Sequence, residues 1–234
     1  MRVSTIESSV SEADDRPYSE QAYSLLRQDI LSGAIAAGDK LKVDVLQRVY
    51  SFSSSPLREA LNRLVGENLV IADERRGFRA APLTANDLID LTAMRLVVET
   101  GALTASMQKG SDVWEGEVVA AFYRLDRIER RIALGEMSRD DEWTARHKDF
   151  HMSLVLACGS QRLVGLCAKL FDQSERYRRL SASLRQQPRN TMDEHREIME
   201  AALARNADAA GKLRAHIERT AAHVLPALKS GRAE

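Results

Sequence analysis

The chain has 234 residues, 44% hydrophobic and 29% charged, with 34 basic side chains set against 34 acidic ones. That length suits one large domain or two small ones, and a net charge of zero argues against wholesale attraction to nucleic acid while leaving room for a local basic face. No apolar run approaches the roughly 18 residues of a membrane span, the N-terminus lacks an apolar signal core, and Cys158 and Cys167 match neither a redox nor a zinc-ribbon spacing, so a soluble, cytoplasmic protein with reduced thiols is expected.

Residues 1–17 are polar and unpatterned, and a flexible tail is expected there. From Ser19, SEQAYSLLRQDILSG places Ala22, Leu25, Leu26 and Ile30 at helical spacing, with Gly33 as the C-cap. AIAAGDKL reads as a loop, and KVDVLQRVY as a short second helix with Val45, Leu46 and Val49 on one side. In SSSPLREALNRL, Ser55 is the expected N-cap and Pro56 the first helical residue. Leu57, Ala60, Leu61, Leu64 and Val65 form a stripe to be buried, and Arg58, Asn62 and Arg63 lie off it. The helix ends near Gly66–Asn68, and LVIADERRGFRAAPL reads as two short strands around a turn with Gly77 near its tip.

Residues 18–82 therefore read helix, helix, helix, hairpin, which is the order of a winged helix-turn-helix DNA-binding domain. The small hydroxyls at the start of the third helix let phosphates and base edges come close. An arginine one turn in can grip a guanine edge with two hydrogen bonds. The expected DNA contacts are Ser53, Ser54, Ser55, Arg58, Asn62, Arg75, Arg76 and Gly77. With Arg16 just before it counted in, ten basic residues against eight acidic ones leave this region only two charges positive, so the order of elements carries the reading rather than the charge. The competing reading of SSSPLREAL is an ordinary capped helix with solvated charges.

From Asn86 onward nearly everything is helical: 86–108, 112–134, 140–157, 160–181, 190–205 and 207–229, making 86–228 an all-helical domain. The expected fold class is mainly α, a winged helix-turn-helix with a small β-hairpin wing followed by an all-α bundle. In the first long helix Leu88, Leu91, Met94 or Arg95, Val98 and Ala102 share a side, and Arg95 has Glu99 as an i+4 partner. His147 and His151 are four apart on one helix, with His195 and His216 on two others. Such a pair joined by two further histidines is a pattern for zinc or a similar ion, although each histidine taken singly also reads as a surface or core residue. SERYRRL (174–180) reads either as pocket lining or as a solvated basic face, the latter favoured for Arg178 and Arg179, and Trp114 and Trp143 read as core or interface residues.

The stretch from Gly33 to Leu83 resembles the DNA-binding domain of the GntR family of bacterial transcription regulators. Gly33, Gly38, Leu41, Ser53, Pro56, Arg58, Glu59, Ala60, Leu61, Gly77 and Phe78 fall in register with that family's loop, Pro-x-Arg-Glu-Ala-Leu and wing motifs. The sequence departs from the pattern at Ser54, where the family often has Arg, and at Asn68, where it usually has Gly. Residues 86–226 resemble the ligand-binding FCD domain of the fatty-acid-regulator branch, through MRLVVETGAL, HKDFHMSLVLACGS and EHREIMEAALARNADAAGKLRAHI.

The resemblance implies a divalent metal, zinc or nickel, on His147, His151, His195 and His216, with His147 where the family usually has Asp. It also implies an effector pocket faced by Arg95 with Glu99, a small carboxylate effector, and a homodimer that binds a palindromic double-stranded operator. Within the branch the sequence is most similar to the carbon-starvation-induced group that responds to glutarate. The expectation is a repressor and not an enzyme. The alternative is a metal-dependent hydrolase built on the HxxxH pair, against which Lys148 rather than Glu follows His147.

Overall fold

The computed structural model describes residues 15–73, 77–183 and 191–229. They divide into two compact units, one formed by the described residues up to Gln28 with Lys40–Arg79, the other by Asp29–Asp39 and everything described from Ala80 onward. Helix α1 (Tyr18–Ser32) crosses the division; β1 (Lys40–Leu41), α2 (Val43–Tyr50), α3 (Ser54–Val65), β2 (Val70–Asp73) and β3 (Gly77–Ala80) follow it.

In the first unit α3 buries Leu57, Ala60, Leu61 and Leu64 completely, the i, i+3, i+4, i+7 stripe that makes a helix amphipathic. Each leucine so buried is worth about 1.5–3 kcal/mol. Ala22 and Leu26 of α1 are buried in the same unit. Ion pairs tie α1 to α3 and its C-terminal turn. Arg63 reaches Glu20 at 2.6 Å and lies 3.8 Å from the Tyr23 ring centre, and Arg27 reaches Glu67 at 2.9 Å. Asn68 turns the chain out of α3 in the left-handed region, at φ 57°, a conformation that asparagine tolerates better than most residues.

Three sequence expectations change here. The cap of α3 is Ser53, extended at φ −69° and ψ 169°, so the helix runs from Ser54 and Pro56 is its third residue. Proline is harmless there too, because N–H groups of the first turn have no acceptor within the helix. Lys40 and Leu41, expected in a loop, pair antiparallel with Arg79 and Phe78, so the wing is a three-stranded sheet in the order β1-β3-β2. Val49, expected on the buried side of α2, is 51% exposed, because a helix of eight residues turns only Leu46 fully inward.

The second unit is helical: α4 (Ala85–Lys109), α5 (Asp112–Ala133), α6 (Asp141–Val155), a 3-10 turn at Leu156–Cys158, α7 (Gln161–Ser183), α8 (Met192–Leu203) and α9 (Ala209–Lys229). Helix α4 packs against α6, α7, α8 and α9, while α5 packs against α6 and α8. Thr84 caps α4 by accepting from the Asp87 N–H at 3.1 Å, and Asp140 caps α6 by accepting from the Trp143 N–H at 3.0 Å. At the far end of α4 the Arg205 guanidinium donates to the Met107 and Gly110 carbonyls, groups that a helix terminus leaves without partners. Trp114 and Trp143 are both buried, and burial pushes the Cys167 thiol up to about 12. Among the described residues no helix is long and apolar enough to cross a membrane.

Candidate functional site

Chemistry-bearing residues gather in two places, one in each unit. In the first unit, Ser53, Ser54, Ser55 and Arg58 are exposed in the first turns of α3 and Asn62 is exposed one turn further along. Ser53 makes no side-chain cap bond, so its hydroxyl does not occupy the open N–H groups of the first turn. Those groups and the positive end of the helix dipole form an anion site. Ser55, Arg58 and Asn62 follow one another along a single face at intervals of three and four residues. An open groove runs from Ser54 and Arg58 past Gln47 of α2 to Lys40, Lys42 and Gly77. Sequence reasoning did not name Lys40, Lys42 and Gln47 as contacts, because the groove is made by β1, α2, α3 and β3 together and no local pattern shows it. Gly77 sits at φ 76°, where a side chain would be strained. Arg75 and Arg76 lie outside the described residues. Arg63 is committed to Glu20 and Tyr23.

In the second unit, α6 carries His147 and His151, α8 carries His195 and α9 carries His216; all four are buried, and one ring nitrogen from each lies within 4.8 Å of the others. The Nε2 atoms of His151 and His147 are 3.1 Å apart, and those of His147 and His195 are 3.3 Å apart. Metal–nitrogen bonds of about 2.0–2.1 Å in a tetrahedron require an edge of about 3.3–3.4 Å, so these two separations fit a first-row divalent ion, with the fourth nitrogen inside the 4.8 Å bound. Aromatic walls fix the rings. Trp143 stacks on His147 with centroids 4.9 Å apart, and Phe171 lies 5.3 Å from both His147 and His151.

Carboxylates orient the imidazoles from behind. Glu194 takes His216 Nδ1 at 2.9 Å and Arg219 at 3.2 Å, which turns His216 Nε2 toward the cluster. Glu129 lies 3.9 Å from His195 Nδ1 and accepts from Trp143 and Thr191; burial pushes its carboxyl up. Burial, with Arg178 next in effect on His147 and His216 next on His151, holds both histidines well below the usual 6.5. They are therefore neutral bases with available lone pairs, the form that binds metals. A donor set of neutral nitrogens suits zinc, nickel or copper better than magnesium or calcium.

The cluster opens on a cavity of about 70 Å³, lined by His147, His151 and His216 but not by His195, which closes the back. Arg95, Arg139, Arg178 and Arg179 also line it, with Glu175 as the single lining carboxylate among the described residues. Arg95 borders the cavity but is gripped by Glu99 through two hydrogen bonds of 2.5 and 3.1 Å, the i+4 pairing open to it from the sequence, and Glu99 does not line the cavity. Arg178 and Arg179 correct the sequence reading. Their side chains are only 15% and 26% exposed. The reason is that α7 from Leu170 to Tyr177 is buried almost all round, packed by α4, α6 and α9, so its next turn is drawn inward. Arg139 and Trp143, not singled out for this cavity by the sequence, complete the wall; for Arg178 the available signal was a stripe from Phe171 through Ser174 on α7.

Residues 18–79 match the family model for bacterial regulatory proteins of the gntR family, and residues 90–219 match the FCD domain. The uncharacterized HTH-type transcriptional regulator BphR of Paraburkholderia xenovorans (strain LB400) is 37% identical over 207 residues, covering 88% of this chain and 84% of that one. The HTH-type transcriptional repressor GlaR of Escherichia coli (strain K12) is 33% identical over 195 residues, covering 82% and 88%. Among solved structures, the GntR protein of Rhodococcus sp. RHA1 superposes with a TM-score of 0.71 at 21% identity over 89% of this chain and 98% of that one. E. coli McbR/YncC gives 0.69 at 15% identity over 93% and 99%. At those identities the two structures bear on fold alone.

Proposed function

The chain belongs to the GntR family of bacterial transcriptional regulators and carries an FCD domain, and from that premise we propose a dimeric repressor whose hold on a palindromic operator is set by a small carboxylate bound at a histidine-held divalent metal. The family supplies DNA binding by the winged head and small-molecule binding by the helical domain. The finer reading rests on one observation above all. Four buried imidazoles converge, and three of them line a cavity that four arginines also line.

When bound there, a divalent ion supplies an electrophilic position for one carboxylate oxygen. The chain's own residues do the rest. Glu194 and Glu129 orient imidazoles, Trp143 and Phe171 hold the rings and exclude water, and the arginines favour a negatively charged guest. A short dicarboxylate such as glutarate suits both walls.

The dimer reading has its own support. On α4 the exposed side chains between Leu91 and Lys109 are Ala93, Met94, Val97, Thr104 and Gln108, with Gly101 in the same row, and none is charged; Val97 is 72% exposed. One winged head reads too few base pairs for genomic specificity, so a second copy is the occupant that this face calls for. The repressor sense is supported by GlaR, which bears that description. The hydrolase alternative draws no support from the matched domains or relatives.

Metal analysis of untagged protein tests this reading. About one equivalent of zinc or nickel per chain, and a rise in Tm when a carboxylate is added, support it. Well under one equivalent with no uptake from added zinc or nickel would sink the metal, and the histidines would then be packing residues.

A further inference from the structure

The sequence treats Arg178 as a solvated charge, and the structure places it on the cavity wall with its guanidinium 4.7 Å from the Trp143 ring centre and 5.8 Å from that of Phe171. Its surroundings hold more positive charge than the effector reading has so far used. Of the four guanidiniums on the wall, Arg95 is doubly bonded to Glu99, and Arg179 is taken by Asp141 at 2.6 Å and by Thr144 at 3.0 Å. Arg178 and Arg139 also line the cavity, where Glu175 pairs with Arg178 while already serving Thr144 and Arg179. Both guanidiniums sit over Trp143, Arg139 at 4.9 Å. Burial first, then the neighbouring Arg95, Arg139 and Arg179, holds Arg178 well below the usual guanidinium value. A crowded, desolvated cation of this kind gains when an anion arrives.

We propose that Arg178, backed by Arg139, is the specificity-determining residue for the effector: it binds a second anionic group and so selects short dicarboxylates over monocarboxylates. This rests on the carboxylate reading of the histidine cluster given above and adds the residue that reads the far end of the ligand. The geometry sets the length. Trp143 touches both groups, its ring centre 4.7 Å from the Arg178 guanidinium and 4.9 Å from the His147 ring centre, so that guanidinium and the His147 ring are no more than about 10 Å apart. The cavity of about 70 Å³ has room for on the order of five waters, well below the 300–1,000 Å³ that larger ligands fill. A chain of a few carbons with a carboxylate at each end fits; a nucleotide does not. The stacked aromatic ring holds the planar guanidinium in place before the ligand enters, so little order is lost on binding.

The test is isothermal titration of zinc-loaded, full-length protein with malonate, succinate, glutarate and adipate, each beside its monoamide, which keeps one carboxylate and replaces the other with a neutral group. The wild-type chain should bind at least one dicarboxylate tenfold or more tightly than its monoamide. Arg178→Gln should remove that preference while leaving monoamide affinity within about twofold, and Arg139→Gln should shift it in the same direction. If the variants fold poorly, the wild-type ratio stands alone as the measurement. Equal binding of a dicarboxylate and its monoamide by wild-type protein would overturn the proposal, as would an Arg178→Gln loss that falls equally on both. Failure of every carboxylate to bind would bring down the carboxylate reading itself, and this inference with it.

Discussion

His147 shows how far single residues could be read. Its position four before His151 was legible as a metal-type pair, because i and i+4 share a helical face whatever the rest of the fold does. That His195 and His216 would complete the group was not derivable from spacing, since it depends on how α6, α8 and α9 pack. The resemblance brought those two in, and the structure puts all four together. Glu194 was missed altogether, and only its 2.9 Å contact with His216 Nδ1 reveals it as an orienting group. Glu194→Gln should therefore weaken zinc affinity about tenfold, measured by competition against a chromophoric chelator, with unchanged affinity counting against the orienting role. Protonation gives a second check in metal-free protein. His147 and His151 are held neutral when folded but titrate near 6.5 when unfolded, so the unfolded chain takes up protons first. Stability should be level above that pH and fall as pH drops below it, in urea melts of chelator-treated protein. A midpoint independent of pH between 7.5 and 5 would contradict the burial.

At the scale of elements, α3 was the most legible, because its apolar stripe and its proline sit close together in sequence and need no partner to be recognised. Even so, its cap shifted from Ser55 to Ser53, since the backbone conformation at one residue decides a cap. Helix α7 was the least legible. Its three arginines and one tyrosine, from Arg176 to Arg179, look solvated, yet Tyr177 is buried, accepts from the Thr84 N–H and donates to Asp87, while Arg176 donates to the Ala81 carbonyl at 2.6 Å. Polar residues can face inward when each finds a partner, and hydropathy cannot see partners. Tyr177→Phe leaves Asp87 and the Thr84 N–H without that hydroxyl and should cost about 1–3 kcal/mol in denaturant melts; a change under a few tenths would make the contact incidental. On α4, Val97→Glu should shift light-scattering mass toward a monomer at micromolar concentration, and a persistent dimer would move the interface elsewhere. On α3, Arg58→Ala should cost roughly 1–3 kcal/mol of operator binding and relax base preference, with unchanged affinity refuting this docking face.

Over the whole molecule, the order helix, helix, helix, sheet, then helices only, was readable because each segment carries its own period and turn residues. The third strand of the wing was not, since two residues give no period and their partner β3 lies nearly forty positions away. The cavity could not be read either; it is made by four helices and the turn that carries Arg139, and no local pattern encodes a void. Under the proposed function, what joins the two units is the linkage by which a ligand that prefers one state of the protein shifts its affinity for DNA. The most direct measurement is fluorescence anisotropy of zinc-loaded, full-length protein on an operator duplex selected by its own binding, titrated with a short dicarboxylate at fixed salt. The account expects the operator Kd to rise at least fivefold at saturating ligand, with no such rise for the His195→Ala chain. An operator affinity unmoved by a dicarboxylate that calorimetry shows to be bound would contradict it.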